Sequence, residues 1–258
     1  MIAVDKVRLA QDFGQAANSY DQAASFQKKI AAELLVHSHK FMGVGLDLGC
    51  GTGQLSAAMS QRGLPVVALD IATGMLQNAR SRQVASHYLQ ADAEALPLAS
   101  AQFDWVISSL AIQWCHEPAR VFAEVQRVLK PGGTFLFSTL GPDTLHELRQ
   151  AMVTVDGHHS LYEFAGLNEW RDAIHRESSE WAQAGLWQQP CECEFENVGA
   201  VMRALKQIGA RHKAPVQKNL RGRGWLNALA LAYPTQARAS GRLIASYDVI
   251  YGHLQKPL

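Results

Sequence analysis

Apolar and polar positions follow two different rhythms along this chain. Two opening stretches, residues 6–18 and 22–40, place apolar residues such as Ile30, Leu34 and Leu35 at helical spacing and predict amphipathic helices. From residue 44 short apolar runs alternate with helical ones. Residues 44–48, 65–69, 87–90, 103–109 and 134–139 read as strands, and residues 54–62, 74–85 and 117–129 as helices. Strand and helix in alternation, joined by short connections, predict a mainly parallel sheet covered by helices on both faces. After Leu140 the rhythm slackens into helix-rich sequence, residues 144–153 and 168–183. Two later alternating runs, 187–196 and 242–253, supply final strands, with helices at 198–208 and 225–231 between them. Residues 211–224, rich in Gly, Pro and basic side chains, read as a mobile loop.

Composition narrows the class. With 258 residues and 48% hydrophobic content the chain can bury a substantial core, and its length fits one α/β domain with additions. No run approaches the roughly 20 apolar residues of a membrane span, and the first residues carry no secretory apolar region, which predicts a soluble cytoplasmic protein. Cys50, Cys115, Cys191 and Cys193 match no structural zinc spacing, and no metal is expected. Charge is balanced in sum and uneven in place: residues 1–197 hold 14 basic against 22 acidic side chains, whereas residues 198–247 hold nine basic and no acidic ones. A solvated surface and a docking face for an acidic partner both fit that segment.

The first strand ends in GLDLGCGTGQL, residues 45–55. A dinucleotide fold wants G-x-G-x-x-G here, but Gly49, Gly51 and Gly53 are spaced G-x-G-x-G. A P-loop wants Lys and Ser/Thr after its last glycine, where this chain has Gln54 and Leu55. Phosphate is therefore not the expected ligand. Asp47 or Asp92 taken singly would serve equally as a cap or turn residue, and Cys50 as a small side chain filling the loop.

Asp47-x-Gly49-x-Gly51-x-Gly53 at a strand end resembles the S-adenosylmethionine (SAM) loop of class I methyltransferases. The resemblance implies that the glycines let backbone pass against the methionyl part of the cofactor and that Asp47 holds its ammonium group, directly or through water. Asp70, 17 residues past Gly53 at the next strand end with Ile71 beside it, is implied as the acceptor for the ribose hydroxyls. Asp92 and Ala93 fall where the family meets the adenine amine, Met75 where it touches adenine or simply packs, and Ser108–Ser109–Leu110 along the far side. Residues 129–133, LKPGG, match the family's turn into its fifth strand.

Segments outside this half are similar to malonyl-acyl-carrier-protein O-methyltransferases of biotin synthesis: FGQAANSYDQAASFQ (13–27), SSLAIQWC (108–115), FSTLGPDTLHELRQAM (137–152), MRALKQIGARH (202–212) and YDVIYGH (247–253). The resemblance implies a Rossmann-like, mainly parallel seven-stranded sheet with helices on both faces, N-terminal lid helices and a helical insertion. It divides a single domain into lid helices (1–40), a SAM-binding core (41–140) and an acceptor- and carrier-binding half (141–258). Tyr20 and Gln27 fall in the lid motif over the cofactor, and Gln113 and Trp114 where the acceptor meets the methyl group. Arg203, Lys206 and His212 match the pattern from which a carboxylate-reading cation is expected. Malonyl-loaded acyl carrier protein or malonyl-CoA is the implied partner, with no nucleic acid and no membrane. The chain reads His159-Ser160-Leu161 where the family often shows His-x-Asn-x-Phe. Two other readings stay open: methylation of another small acceptor, such as a quinone precursor or small carboxylic acid, and a respiratory-complex assembly factor sharing a GxDTLxELR segment like residues 141–149.

Overall fold

A computed structural model describes residues 5–23, 25–176, 181–207, 222–234, 238–239 and 241–258. Eight strands occur among them: β1 (Gly45–Leu48), β2 (Val66–Asp70), β3 (His87–Gln90), β4 (Phe103–Ser109), β5 (Leu129–Leu140), β6 (Gln183–Phe195), β7 (Arg238–Ala239) and β8 (Arg242–Gln255). The sheet order is β3-β2-β1-β4-β5-β8-β6, with β7 paired antiparallel to β8. The pairs β1·β2, β1·β4, β2·β3 and β4·β5 are all parallel, and Asp47 stands opposite Ala68 on one side and Ile107 on the other. Chain order therefore runs outward from β1 in both directions, which opens a crevice at the carboxyl ends of β1 and β4.

Nine helices accompany the described strands: α1 (Lys6–Ala23), α2 (Ser25–His37), α3 (Gln54–Gln61), α4 (Thr73–Ser81), α5 (Pro118–Val128), α6 (His146–Asp156), α7 (Leu167–Arg176), α8 (Val198–Gln207) and α9 (Arg223–Ala232). None of the described helices is long and apolar enough to cross a membrane.

The chain divides into two compact units, one of residues 1–140, 165–188 and 250–258, the other of residues 141–164 and 189–249. In the first, β1 is buried along its whole length, which is why it reads as an unbroken apolar run rather than an alternating one. Pro118 opens α5, where its missing N–H costs nothing, and the helix then buries Val121, Phe122, Val125 and Val128 on one face. Phe122 packs edge-on against Phe135 and Phe137 of β5 and against Trp170 of α7. In the second unit Glu147 of α6 accepts both the N–H and the hydroxyl of Ser246 on β8, and Trp225 of α9 donates to Asp156.

Several boundaries move from their expected places. Residues 168–183 read as one helix, but α7 ends at Arg176, and the N–H of Ala182 already donates to the carbonyl of Gln255 at 2.9 Å. Sheet pairing with a distant strand overrides local helical periodicity there. Helix α4 stops at Ser81 rather than Ala85 because Gln83 turns to a left-handed φ of 53°. The loop expected over residues 211–224 lies mostly outside the described residues, and its end opens α9.

Candidate active site

The glycine loop leaves β1 in a conformation that demands its glycines. Gly49, Gly51 and Gly53 have φ of 73°, 54° and 85°, all left-handed. They differ in what surrounds them. A Cβ at Gly49 would lie 2.3 Å from Cβ of Ala111, and one at Gly53 would lie 2.3 Å from Cγ2 of Val84, whereas one at Gly51 would meet nothing. Gly49 and Gly53 thus allow close packing, and Gly51 keeps open the wall of a cavity.

That cavity lies where β1, β2 and β4 end. Of the residues singled out in the sequence, Gly49, Gly51, Asp70, Ile71, Met75, Asp92, Ala93, Ser109 and Trp114 line it. Asp70 ends β2, and its carboxylate accepts the N–H of Gly51 and that of Ala72, both at 2.8 Å, so one side chain ties the glycine loop to the start of α4. Burial pushes the Asp70 carboxyl up, and the backbone N–H donors from Ala72 and Gly51 oppose it. Asp92 follows β3 and is only partly buried; its Oδ1 accepts the N–H of Glu94 at 3.0 Å. Met75 is buried against Ala72 and packs with Ala10 and Phe13 of α1.

Other expected residues stand behind the wall rather than in it. Asp47 is buried, and its Oδ2 accepts the N–H and the hydroxyl of Ser56 at 2.9 and 2.6 Å. Burial pushes its carboxyl up to about 7 against those two bonds. Gly53 begins α3, and Cys50 is a buried free thiol, pushed well up by burial. Gln113 is buried, donates to the carbonyl of Leu110 at 2.8 Å and accepts from Thr139 at 3.4 Å, so its amide braces the loop after β4. Gln27 is on α2, and its Oε1 is buried without a hydrogen-bond partner. Arg203 is exposed on α8. The side chains of Tyr20 and Lys206, and all of His212, lie outside the described residues.

The cavity also has walls that the sequence did not single out. Leu9 and Phe13 cover it from α1, with Phe13 and Trp114 ring-to-ring at 6.2 Å in an edge contact. Lys6 lines it too, as does Cys115, a thiol pushed up to about 12 chiefly by burial. Phe13 and Cys115 stand at the ends of the segments 13–27 and 108–115, and only the helical period of α1 hinted at Lys6 and Leu9; which residues its inner face presents depends on contacts distant in sequence.

The residues present suit a nucleoside. Carboxylates at the ends of β2 and β3 can accept from ribose hydroxyls and a base amine, Ile71 and Met75 supply an apolar bed for a ring, and Gly51 leaves room for an amino-acid tail. Among the described residues, no group of three or more His, Cys, Asp or Glu could hold a metal ion.

Comparison with known proteins agrees with this arrangement. Residues 46–137 match the methyltransferase domain family model. The malonyl-[acyl-carrier protein] O-methyltransferase of Methylovorus sp. (strain MP688) is 39% identical, the match covering 98% of this chain and 90% of that protein. The enzyme of the same name from Serratia marcescens is 40% identical over 96% and 95%. The biotin biosynthesis bifunctional protein BioHC of Cellvibrio japonicus is 39% identical over 99% of this chain and 51% of its own length. Among solved structures, the YcgJ protein of Bacillus subtilis shares the fold at a TM-score of 0.58 and 18% identity, covering 88% of this chain and 98% of that one. A phosphoethanolamine N-methyltransferase 2 of Haemonchus contortus, solved in complex with S-adenosyl-L-methionine, shares it at 0.55 and 20%, over 88% and 52%.

Fold and site together define a class I, SAM-dependent methyltransferase. Within that class, the chain belongs to the malonyl-[acyl-carrier protein] O-methyltransferase family.

Proposed function

We propose that this protein uses SAM to methylate the free carboxylate of a malonyl thioester on acyl carrier protein, as a step of biotin synthesis in the cytoplasm. The observation that carries the reading is the make-up of the cavity wall. Among the described residues that line it, the titratable side chains are Lys6, Asp70, Asp92 and Cys115, with no histidine. An alcohol or ammonium acceptor needs a base to take its proton, whereas a malonyl carboxylate is already ionised at neutral pH. When bound, SAM supplies a sulfonium methyl: the carboxylate oxygen forms the new C–O bond as the C–S bond breaks, leaving a methyl ester and S-adenosylhomocysteine, and no proton moves.

The protein's part is then to orient and to exclude water. Gly51, Asp70 and Asp92 fix the nucleoside, and Leu9, Phe13 and Trp114 close apolar surface over it. Alignment of this kind can contribute roughly 7–11 kcal/mol to lowering a barrier. Gln113 acts through the loop it braces, which sets Trp114.

A cation must reward the malonyl carboxylate over a neutral acyl group. Arg203, Lys206 and His212 remain candidates from the sequence, and the second unit adds a pair. Arg149 Nε on α6 and His159 Nδ1 are both buried without a hydrogen-bond partner. Burial, and next the charge of Arg149, push the His159 imidazole down. Two buried nitrogens with unused capacity suit an incoming anion. The basic residues of 198–247, among them the exposed Arg203 and Arg223, would steer an acidic carrier protein.

Incubation of purified protein with methyl-labelled SAM and malonyl-loaded carrier protein, or malonyl-CoA, tests the reading through release of a base-labile methyl ester. Growth of a biotin auxotroph carrying this gene tests it in cells. If neither thioester is esterified while a quinone precursor is labelled, the acceptor assignment is wrong and the cofactor assignment stands.

A further inference from the structure

Two acids follow β3, and only Asp92 faces the cavity. Glu94, two residues on, is nine-tenths buried and joins two segments that the sheet does not connect. Its Oε2 accepts from Lys6 Nζ, in the first turn of α1. Its Oε1 accepts the backbone N–H of Glu117, the residue before α5. Lys6 completes the arrangement by donating also to Asp92 Oδ2 at 2.6 Å.

Elsewhere α1 meets the cavity wall through apolar side chains and a close backbone crossing. Ala10 and Phe13 rest on Ala72 and Met75, and the crossing with α4 is so close that a Cβ at Gly74 would lie 2.5 Å from the carbonyl oxygen of Gly14. At the other end the ammonium of Lys6 supplies a polar fastening that spans α1 and the segment after β3.

We propose that Glu94 is a positioning residue that fastens α1 over the cofactor cavity through Lys6, and through the Glu117 N–H couples that closure to the loop carrying Trp114. The inference rests on the SAM reading of the cavity. Closure holds the nucleoside beneath Leu9 and Phe13, and its release requires the Lys6 ammonium to leave both carboxylates. Because Lys6 and Asp92 keep some solvent contact, added salt weakens the fastening.

The test is the dissociation rate of S-adenosylhomocysteine, measured by stopped flow on the full chain at low and high KCl. Wild type, Lys6→Met, Glu94→Gln and the double variant are compared, with Lys6→Arg as the conservative control and melting temperature recorded for each. Either single substitution is expected to speed release about tenfold at low salt, the double no more than the faster-releasing single, since the two groups form one coupled interaction. High salt should speed wild type toward the variants and leave Lys6→Met unmoved, with Glu94→Gln keeping a smaller response through the remaining Lys6–Asp92 pair, and Lys6→Arg should release slowly like wild type. Unchanged release from Lys6→Met and Glu94→Gln, with or without a fall in melting temperature, would overturn the proposal, as would additive effects in the double variant. Absence of nucleoside binding to wild type in the same cell would instead overturn the cofactor reading on which this one stands.

Discussion

Asp47 and Ser56 are joined twice, the carboxylate of one taking both the N–H and the hydroxyl of the other at 2.9 and 2.6 Å. Ser56 is the third residue of α3, where the backbone N–H has no partner within the helix. The pair therefore closes the glycine loop from below: Asp47 precedes the loop in β1, Ser56 follows it, and the turn between them cannot open without exposing a buried carboxylate.

This clamp has a pH signature. Burial, opposed by the bonds from Ser56, raises the Asp47 carboxyl from 3.8 to about 7, so the folded protein holds the proton more tightly than the unfolded chain. The sign follows: its contribution to stability is full below pH 3.8 and is lost as pH rises through about 7. Asp47→Asn keeps an acceptor for Ser56 and has no proton to lose. Denaturant titrations at pH 5 and pH 8 should show wild type losing stability relative to the variant by a few kcal/mol. An equal difference at both pH values would show that Asp47 does not titrate in this range.

The loop glycines should separate binding from folding. Gly51→Ala forces a methyl-bearing residue to a φ of 54° but meets no atom, so the fold loses roughly 1–2 kcal/mol while the methyl enters the cavity. Gly53→Ala adds a clash with Val84 to the same strain. Calorimetry should find nucleoside affinity hit harder in Gly51→Ala, and thermal melts should find stability hit harder in Gly53→Ala. The reverse ranking would remove Gly51 from the cofactor wall.

Arg149 gives the acceptor side a direct test. Arg149→Met should raise KM for a malonyl thioester at least tenfold, about the value of one charge-assisted hydrogen bond, and leave S-adenosylhomocysteine affinity within twofold of wild type. A matching loss in Arg203→Met with Arg149→Met unaffected would return the carboxylate to α8.

Carrier recognition rests on charge at a distance. Arg223→Glu, on the exposed start of α9, should raise KM for malonyl-loaded carrier protein severalfold at low salt and leave malonyl-CoA nearly unchanged. Equal loss on both substrates would exclude a docking role for that residue.

Much of the core was legible from one dimension because it is built from local rules. The central strands are buried on both faces, so they appear as short apolar runs at regular intervals, and β1 and β4 fall within a residue of their expected places. Asp70 could be placed because the resemblance puts an acid at the end of the second strand, and a left-handed turn admits little but glycine, so Gly49, Gly51 and Gly53 announce the loop. Relatedness over nearly the whole chain was legible in the motifs outside the cofactor half.

What the tertiary structure decided is set by contacts that no local pattern encodes. Lys6 meets Asp92 and Glu94 across 86 and 88 residues of chain, and Ala182, expected in a helix, pairs with Gln255 in the sheet. The resemblance implies Asp47 as a cofactor contact; that its Oδ2 also takes the N–H and hydroxyl of Ser56 beneath the loop shows only in the folded chain. Period and turn chemistry are properties of neighbouring residues and survive in the order of letters; which carboxylate faces a cavity and which faces a helix depends on how the elements stack, and that is settled only when the chain has folded.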